Sequence, residues 1–89
     1  MMDRAAALDM AEEFLDANVR HLVGEPVAVA LDRTIETEHS FVFFYNTVAY
    51  LETRSMVHAL AGNGPIVVDR VTGAVMATDS SRPWEEQVE

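Results

Sequence analysis

Apolar residues recur at helical spacing near the start of the chain: Leu8, Ala11, Leu15 and Leu22, with Phe14 and Val19 beside them. That spacing predicts a helix from Arg4 to Leu22, capped by Asp3, with one stripe turned to a core. The opposite stripe carries Asp9, Glu13, Asp16 and Arg20, with Glu12 alongside. Gly24-Glu25-Pro26 ends the helix and turns the chain. From Val27 to Thr37 the period changes to two: Val27, Val29, Leu31 and Ile35 on one face, Asp32, Thr34 and Glu36 on the other. This alternation predicts a half-exposed antiparallel strand.

Phe41 to Ala49 predicts a second strand, opening on five aromatic or β-branched residues, Phe41-Val42-Phe43-Phe44-Tyr45. Alternation puts Phe41, Phe43 and Tyr45 on one face and Val42 and Phe44 on the other. Both faces are apolar, so this strand belongs in the middle of a sheet. Tyr50 to Gly64 reads either as a short helical turn around Ser55–Ala61 or as an irregular loop, closed by the turn cluster Gly62-Asn63-Gly64-Pro65. Ile66 to Arg70 and Ala74 to Thr78 are short strands joined by the hairpin Asp69-Arg70-Val71-Thr72-Gly73, with Gly73 at the left-handed position. Pro83, Glu85 and Glu86 suit the first turn of a final short helix, with Trp84 as its anchor on the sheet. The expected fold is α+β: an N-terminal helix on a four-stranded antiparallel meander, then a short C-terminal helix. The N-terminal helix covers one face of the sheet. The other face is left partly bare, and a homodimer through it or through an edge strand is the simplest way to hide it.

Eighty-nine residues make one domain with one modest core. The formal charge of −9, from 15 acidic residues against 6 basic ones, all arginine, argues against nucleic acid as a ligand. It suits solubility, or attraction to a basic protein. There is no cysteine, hence no disulfide, thiol nucleophile or thiolate metal site. No apolar run approaches the roughly 20 residues of a membrane span, and Met1-Met2-Asp3-Arg4 lacks a signal-peptide pattern. The expectation is a cytoplasmic protein with no membrane contact.

Candidate chemistry is thin. His21, His39 and His58 lack metal-ligand spacing, and neither a phosphate-binding glycine loop nor a Gly-x-Ser-x-Gly elbow occurs. Glu52 beside Tyr50 and Arg54 is the best local polar cluster, and its ordinary use is a strand-end salt bridge. No cofactor is implied.

Two stretches stand out together. One is FVFFYNTVAYLET, Phe41 to Thr53, an aromatic strand followed by a Tyr-Leu-Glu-Thr step. The other is LAGNGPIVVDRVTGAVMATDSSRPWEEQVE, Leu60 to Glu89, with an Ala-Gly-Asn-x-Pro entry, an apolar strand, an Asp-x-x-Thr-Gly hairpin and a Pro-x-Glu-Glu helix start. Taken together they resemble the immunity protein 35 family, which includes the YrhB-like small proteins. Phe41 stands where that family leads one to expect tryptophan. Arg54 stands where a glycine often follows the Leu-x-Thr step, so a different turn is expected there. The resemblance implies a bacterial immunity protein that neutralises a cognate toxin domain by stoichiometric contact, without turnover. The residues best suited to such contact are the acidic strip Asp9, Glu12, Glu13 and Asp16, and the loop residues Tyr50, Glu52, Arg54 and His58. A competing reading is a small chaperone-like protein that holds clients on an exposed aromatic sheet face. A third, an enzyme, requires a deep pocket with convergent polar groups.

Overall fold

The computed structural model describes residues 1–88. Helix α1 spans Arg4–Asn18, and the Asp3 carboxylate accepts the Ala6 N–H at 2.8 Å as its cap. Ala7, Ala11 and Leu15, at i, i+4 and i+8, are fully buried. The two alanines let the helix lie close on the sheet, while Leu8, Met10 and Phe14 pack at its flanks. The helix ends four residues before the apolar pattern predicts. Val19 leaves helical geometry and Arg20–Leu22 form a 3-10 turn, which swings Leu22 out to 75% exposure. Arg20 accounts for the break. Its Nε and Nη2 donate to the Val27 carbonyl at 3.1 and 2.9 Å, tying the reversing chain back to the helix end.

The expected antiparallel meander is present as a four-stranded sheet with a separate two-stranded sheet beside it, because the first two expected strands are each divided. β1 (Val27–Val29) pairs with β4 (Tyr45–Thr47), and β2 (Ile35–Glu36) pairs with β3 (Ser40–Phe43). β3 then pairs with β5 (Asn63–Asp69), and β5 with β6 (Val75–Asp79). Between the two halves of the first hairpin the chain is unequal. Residues 30–34 lie opposite residues 43–44, a surplus of 5 − 2 = 3. The surplus coils into a 3-10 turn, Leu31–Arg33, and Leu31, assigned to the inner face by alternation, is 61% exposed. The Ala30 N–H still reaches the Phe44 carbonyl at 2.8 Å, so the insertion bulges out without parting the strands.

Phe41, Phe43, Ile66 and Val68 form the face beneath α1, with the two rings stacked 6.4 Å apart. On the outer face Val42 and Val67 pair side by side and are also buried, flanked by the exposed Ile35 and Met76. The C-terminal segment returns along this region. Gln87 accepts the Asp79 N–H at 3.0 Å and donates to the carbonyls of Asp79 and Arg82, both at 2.9 Å. Val88 lines a recess of about 190 Å³ with Val67 and Met76. The outer face expected to lie partly bare is therefore filled at its centre within one chain, with Ile35 and Met76 exposed beside it.

The hairpin after β5 follows the sequence reading. Asp69 Oδ1 accepts the N–H groups of Val71 and Thr72 at 2.8 and 2.9 Å, and Gly73 takes φ +77°. The last element is a 3-10 turn, Trp84–Glu86, in place of the expected helix, with Trp84 half-buried.

Candidate functional site

The segment after β4 is built on Thr47. This side chain is buried; its hydroxyl accepts the Tyr50 N–H at 3.0 Å and donates to the His58 carbonyl at 2.7 Å. The first contact caps α2 (Val48–Thr53), and the second pins the returning chain, which contains a 3-10 turn over Met56–His58. Asn46 Oδ1 adds a second clamp by accepting the N–H groups of Thr47 and Leu60 at 2.8 and 2.9 Å. The stretch that reads as loop or helical turn is thus a short helix, starting earlier than expected, then a pinned loop.

Helix α2 ends at Arg54, which takes φ +61°, ψ +19° and donates its N–H to the Tyr50 carbonyl at 2.7 Å. The different turn expected from arginine at a glycine position is not found. Arg54 adopts the left-handed geometry that glycine would, against a steric preference of about 1–2 kcal/mol. Its guanidinium lies 5.7 Å from the centre of the Tyr50 ring.

Between the β1–β4 ribbon and α2 lies a groove of about 220 Å³, walled by Arg33, Phe44, Tyr45, Tyr50, Leu51 and Leu60 among others. The bulge in the first hairpin places Arg33 there, with its guanidinium 5.0 Å from the centre of the Phe44 ring. The Asn63 side chain donates to the Tyr45 carbonyl at 3.3 Å and braces the floor. Burial pushes the Tyr45 phenol above its ordinary pKa, opposed by a hydrogen bond with Asn63, so it stays neutral at physiological pH. The walls supply aromatic faces and cationic edges, suited to binding and orientation.

The eight residues singled out from sequence fall into two groups. On α1, Asp9 and Glu13 are exposed, whereas Glu12 and Asp16 close on Arg20 at 2.7 and 2.8 Å. Half of the acidic strip is therefore already paired within its own chain, two carboxylates sharing one arginine. In the other group Tyr50 forms a groove wall, Arg54 lies on it, and Glu52 is exposed on the same helix. His58 faces Glu25, Nδ1 to carboxylate 3.2 Å. Next to them Met56 and Val57 are 75% and 88% exposed, an apolar tip beside the arginine. Sequence reasoning missed Arg33, Phe44 and Asn46 as parts of one site. The signal for Arg33 was present: by alternation it falls on the apolar face of its strand, where an arginine does not belong.

Among the described residues no group of three or more His, Asp or Glu side chains could hold a metal ion, and no helix is long and apolar enough to cross a membrane. What remains is a small α+β domain with an aromatic groove and an apolar loop tip, a form suited to recognising another protein. A family model described as Immunity protein 35 matches residues 5–89, nearly the whole chain. The chain belongs to the immunity protein 35 family. No curated protein and no solved structure matches it.

Proposed function

We propose that this chain is the immunity partner of a bacterial polymorphic toxin, acting in the cytoplasm by binding one cognate toxin domain and blocking it one-to-one. Family membership supports the class. The observation that carries the surface is the convergence of the Tyr50–Arg54 stack, the groove beside it and the exposed Met56-Val57 tip on one short segment. Tyrosine and arginine at the edge of an apolar patch are the usual anchors of protein interfaces. Glu52 and His58 lie on the same segment and belong to the contact surface. Asp9 and Glu13 on α1, with Glu12 and Asp16 behind them, provide the negative field that draws in a basic toxin surface and raises the on-rate. No cofactor or turnover enters this reading. Val42 and Val67 are already buried without a second chain, so a homodimer would use the exposed Ile35 and Met76 beside them or an edge strand. The chaperone-like alternative needs an exposed aromatic sheet face, and Phe41 and Phe43 are in the core.

The test is pull-down of the partner from the native lysate, followed by co-expression with the toxin domain it captures. Wild-type chain restores growth. The double variant Tyr50→Ala, Arg54→Gly fails to protect while melting as a folded protein. Equal protection by both forms removes the Tyr50–Arg54 corner from the function; absence of protection by the wild type removes the immunity reading.

A further inference from the structure

The groove beside Tyr50 has a charge character opposite to that of the molecule. Arg4 meets Glu36 at 3.8 Å, Arg20 meets Glu12 at 2.7 Å, Arg70 meets Glu36 at 3.2 Å, and Arg82 lies in the field of Asp79. Arg33 and Arg54 form no ion pair among the described residues, in a chain with 15 acidic side chains. Each instead lies on an aromatic ring that walls the groove, Phe44 or Tyr50; Arg33 is itself part of that wall, and Arg54 stands beside it on the Tyr50 ring. A guanidinium stacked on a ring keeps its fork of N–H donors at the edge, free for a carboxylate. Both arginines also sit on departures from regular backbone, the three-residue surplus in the first hairpin and the left-handed end of α2. Such departures gather at binding sites.

We infer that this groove receives an acidic side chain of the protein partner, an Asp or Glu flanked by apolar residues, held by Arg33 with its neighbours on Leu51 and Leu60, while Arg54 adds positive charge from beside Tyr50. The inference rests on the immunity reading for the identity of the partner, not for the chemistry of the groove. A phosphate backbone fits less well, since the net charge of −9 repels a polyanion at range. A lone carboxylate on an otherwise basic partner does not meet that barrier. One inverted charge pair in a field of the other sign also fixes register and rejects wrong partners.

The test is an NMR titration of the full chain with acetyl-Leu-Asp-Leu-amide and, separately, acetyl-Leu-Asn-Leu-amide. The Asp peptide is expected to shift the Arg33 and Arg54 Nε–H signals and the amides of Tyr50 and Leu60, with the Asn peptide binding about tenfold more weakly. Arg33→Gln weakens the Asp peptide about tenfold, and Arg54→Gly weakens it by about threefold. Arg54→Gly suits the left-handed turn, so its loss of binding does not come from unfolding. Arg33→Lys, which keeps the charge and loses the fork, falls between. Equal binding of the two peptides, no binding of either, shifts confined to other surfaces, or inorganic phosphate binding the groove more tightly than the Asp peptide would each overturn the inference. Growth protection is measured without peptide, so a failed titration beside intact protection removes only the acidic anchor. A failed protection beside a positive titration removes only the toxin.

Discussion

Replacing Gly64 by alanine tests the closest backbone approach in the sheet. Gly64 sits where the β5–β6 register slips between Asn63 and Ile66. A Cβ there would lie 2.3 Å from Thr78 Oγ1 and 2.8 Å from the Asp79 carbonyl oxygen. Neither neighbour yields easily. The Thr78 hydroxyl is buried and donates to the Pro65 carbonyl at 2.7 Å, and the Asp79 oxygen is backbone of β6. Overpacking of this kind costs about 1–3 kcal/mol, and displacing a buried hydrogen bond about 1–3 kcal/mol more. The expected loss is therefore roughly 2–6 kcal/mol, against a total of about 5–15 for a domain of ordinary stability. With about 4–8 °C per kcal/mol at this size, Tm should fall by roughly 10–50 °C. Urea melts followed by Trp84 fluorescence and by far-UV circular dichroism measure it. Thr78→Ala separates the two obstacles. In its background Gly64→Ala loses the hydroxyl clash but keeps the carbonyl one, so a loss of about 1 kcal/mol should remain. A Gly64→Ala protein within about 0.5 kcal/mol of the parent would refute the close-approach argument.

Three further outcomes follow from the hydrogen bonds. Thr47→Val removes both the α2 cap and the tie to His58, so it should cost about 1–3 kcal/mol in urea melts and loosen the Tyr50 amide in hydrogen exchange before the sheet. Arg20→Ala should cost about 1–3 kcal/mol by freeing the Val27 carbonyl and leaving Glu12 and Asp16 uncompensated; unchanged stability would refute the account of why α1 ends early. The N–H groups of Thr72 and Val71 hold the Asp69 carboxyl below its ordinary pKa. A folded-state pKa below the unfolded one gives stability that is present above about pH 4 and fades as pH falls through the folded value. Asp69→Asn keeps the acceptor and removes the charge, so melts from pH 6 down to pH 2 should show a flatter acid limb; an unchanged limb would count against the turn as its source.

Where one residue decides a local structure, the sequence was enough. Asp3 at the cap, Gly73 at the turn and the apolar run through β3 and β5 each describe their own surroundings, and the α+β meander follows from them. Leu22 and Leu31 were misplaced because a periodicity argument extends an element until a breaker stops it. Here the breakers act at a distance: Arg20 reaching Val27 for one, and the unequal spacing of β1–β4 against β2–β3 for the other. The groove was illegible for the same reason. Arg33, Phe44 and Tyr50 come from three segments, and their meeting depends on that unequal spacing. Tyr50 and Arg54 were visible because they stand on one helical turn.

The surplus in the first hairpin also separates what can vary from what cannot. In an uninterrupted ladder, adding one residue inverts every side chain beyond it. In this chain β1 and β2 each take their register from their own partner, Val29 from Tyr45 and Ile35 from Val42. The coil between them absorbs a change of length without passing it on. Lengthening an exposed connection is cheap, about 0.6 kcal/mol per doubling. One or two glycines inserted after Asp32 should therefore leave the melting curve nearly intact while carrying Arg33 off the Phe44 ring. Residues 30–34 thus act as a joint at which the recognition wall can be recut in length and chemistry while the sheet beneath it keeps its alignment.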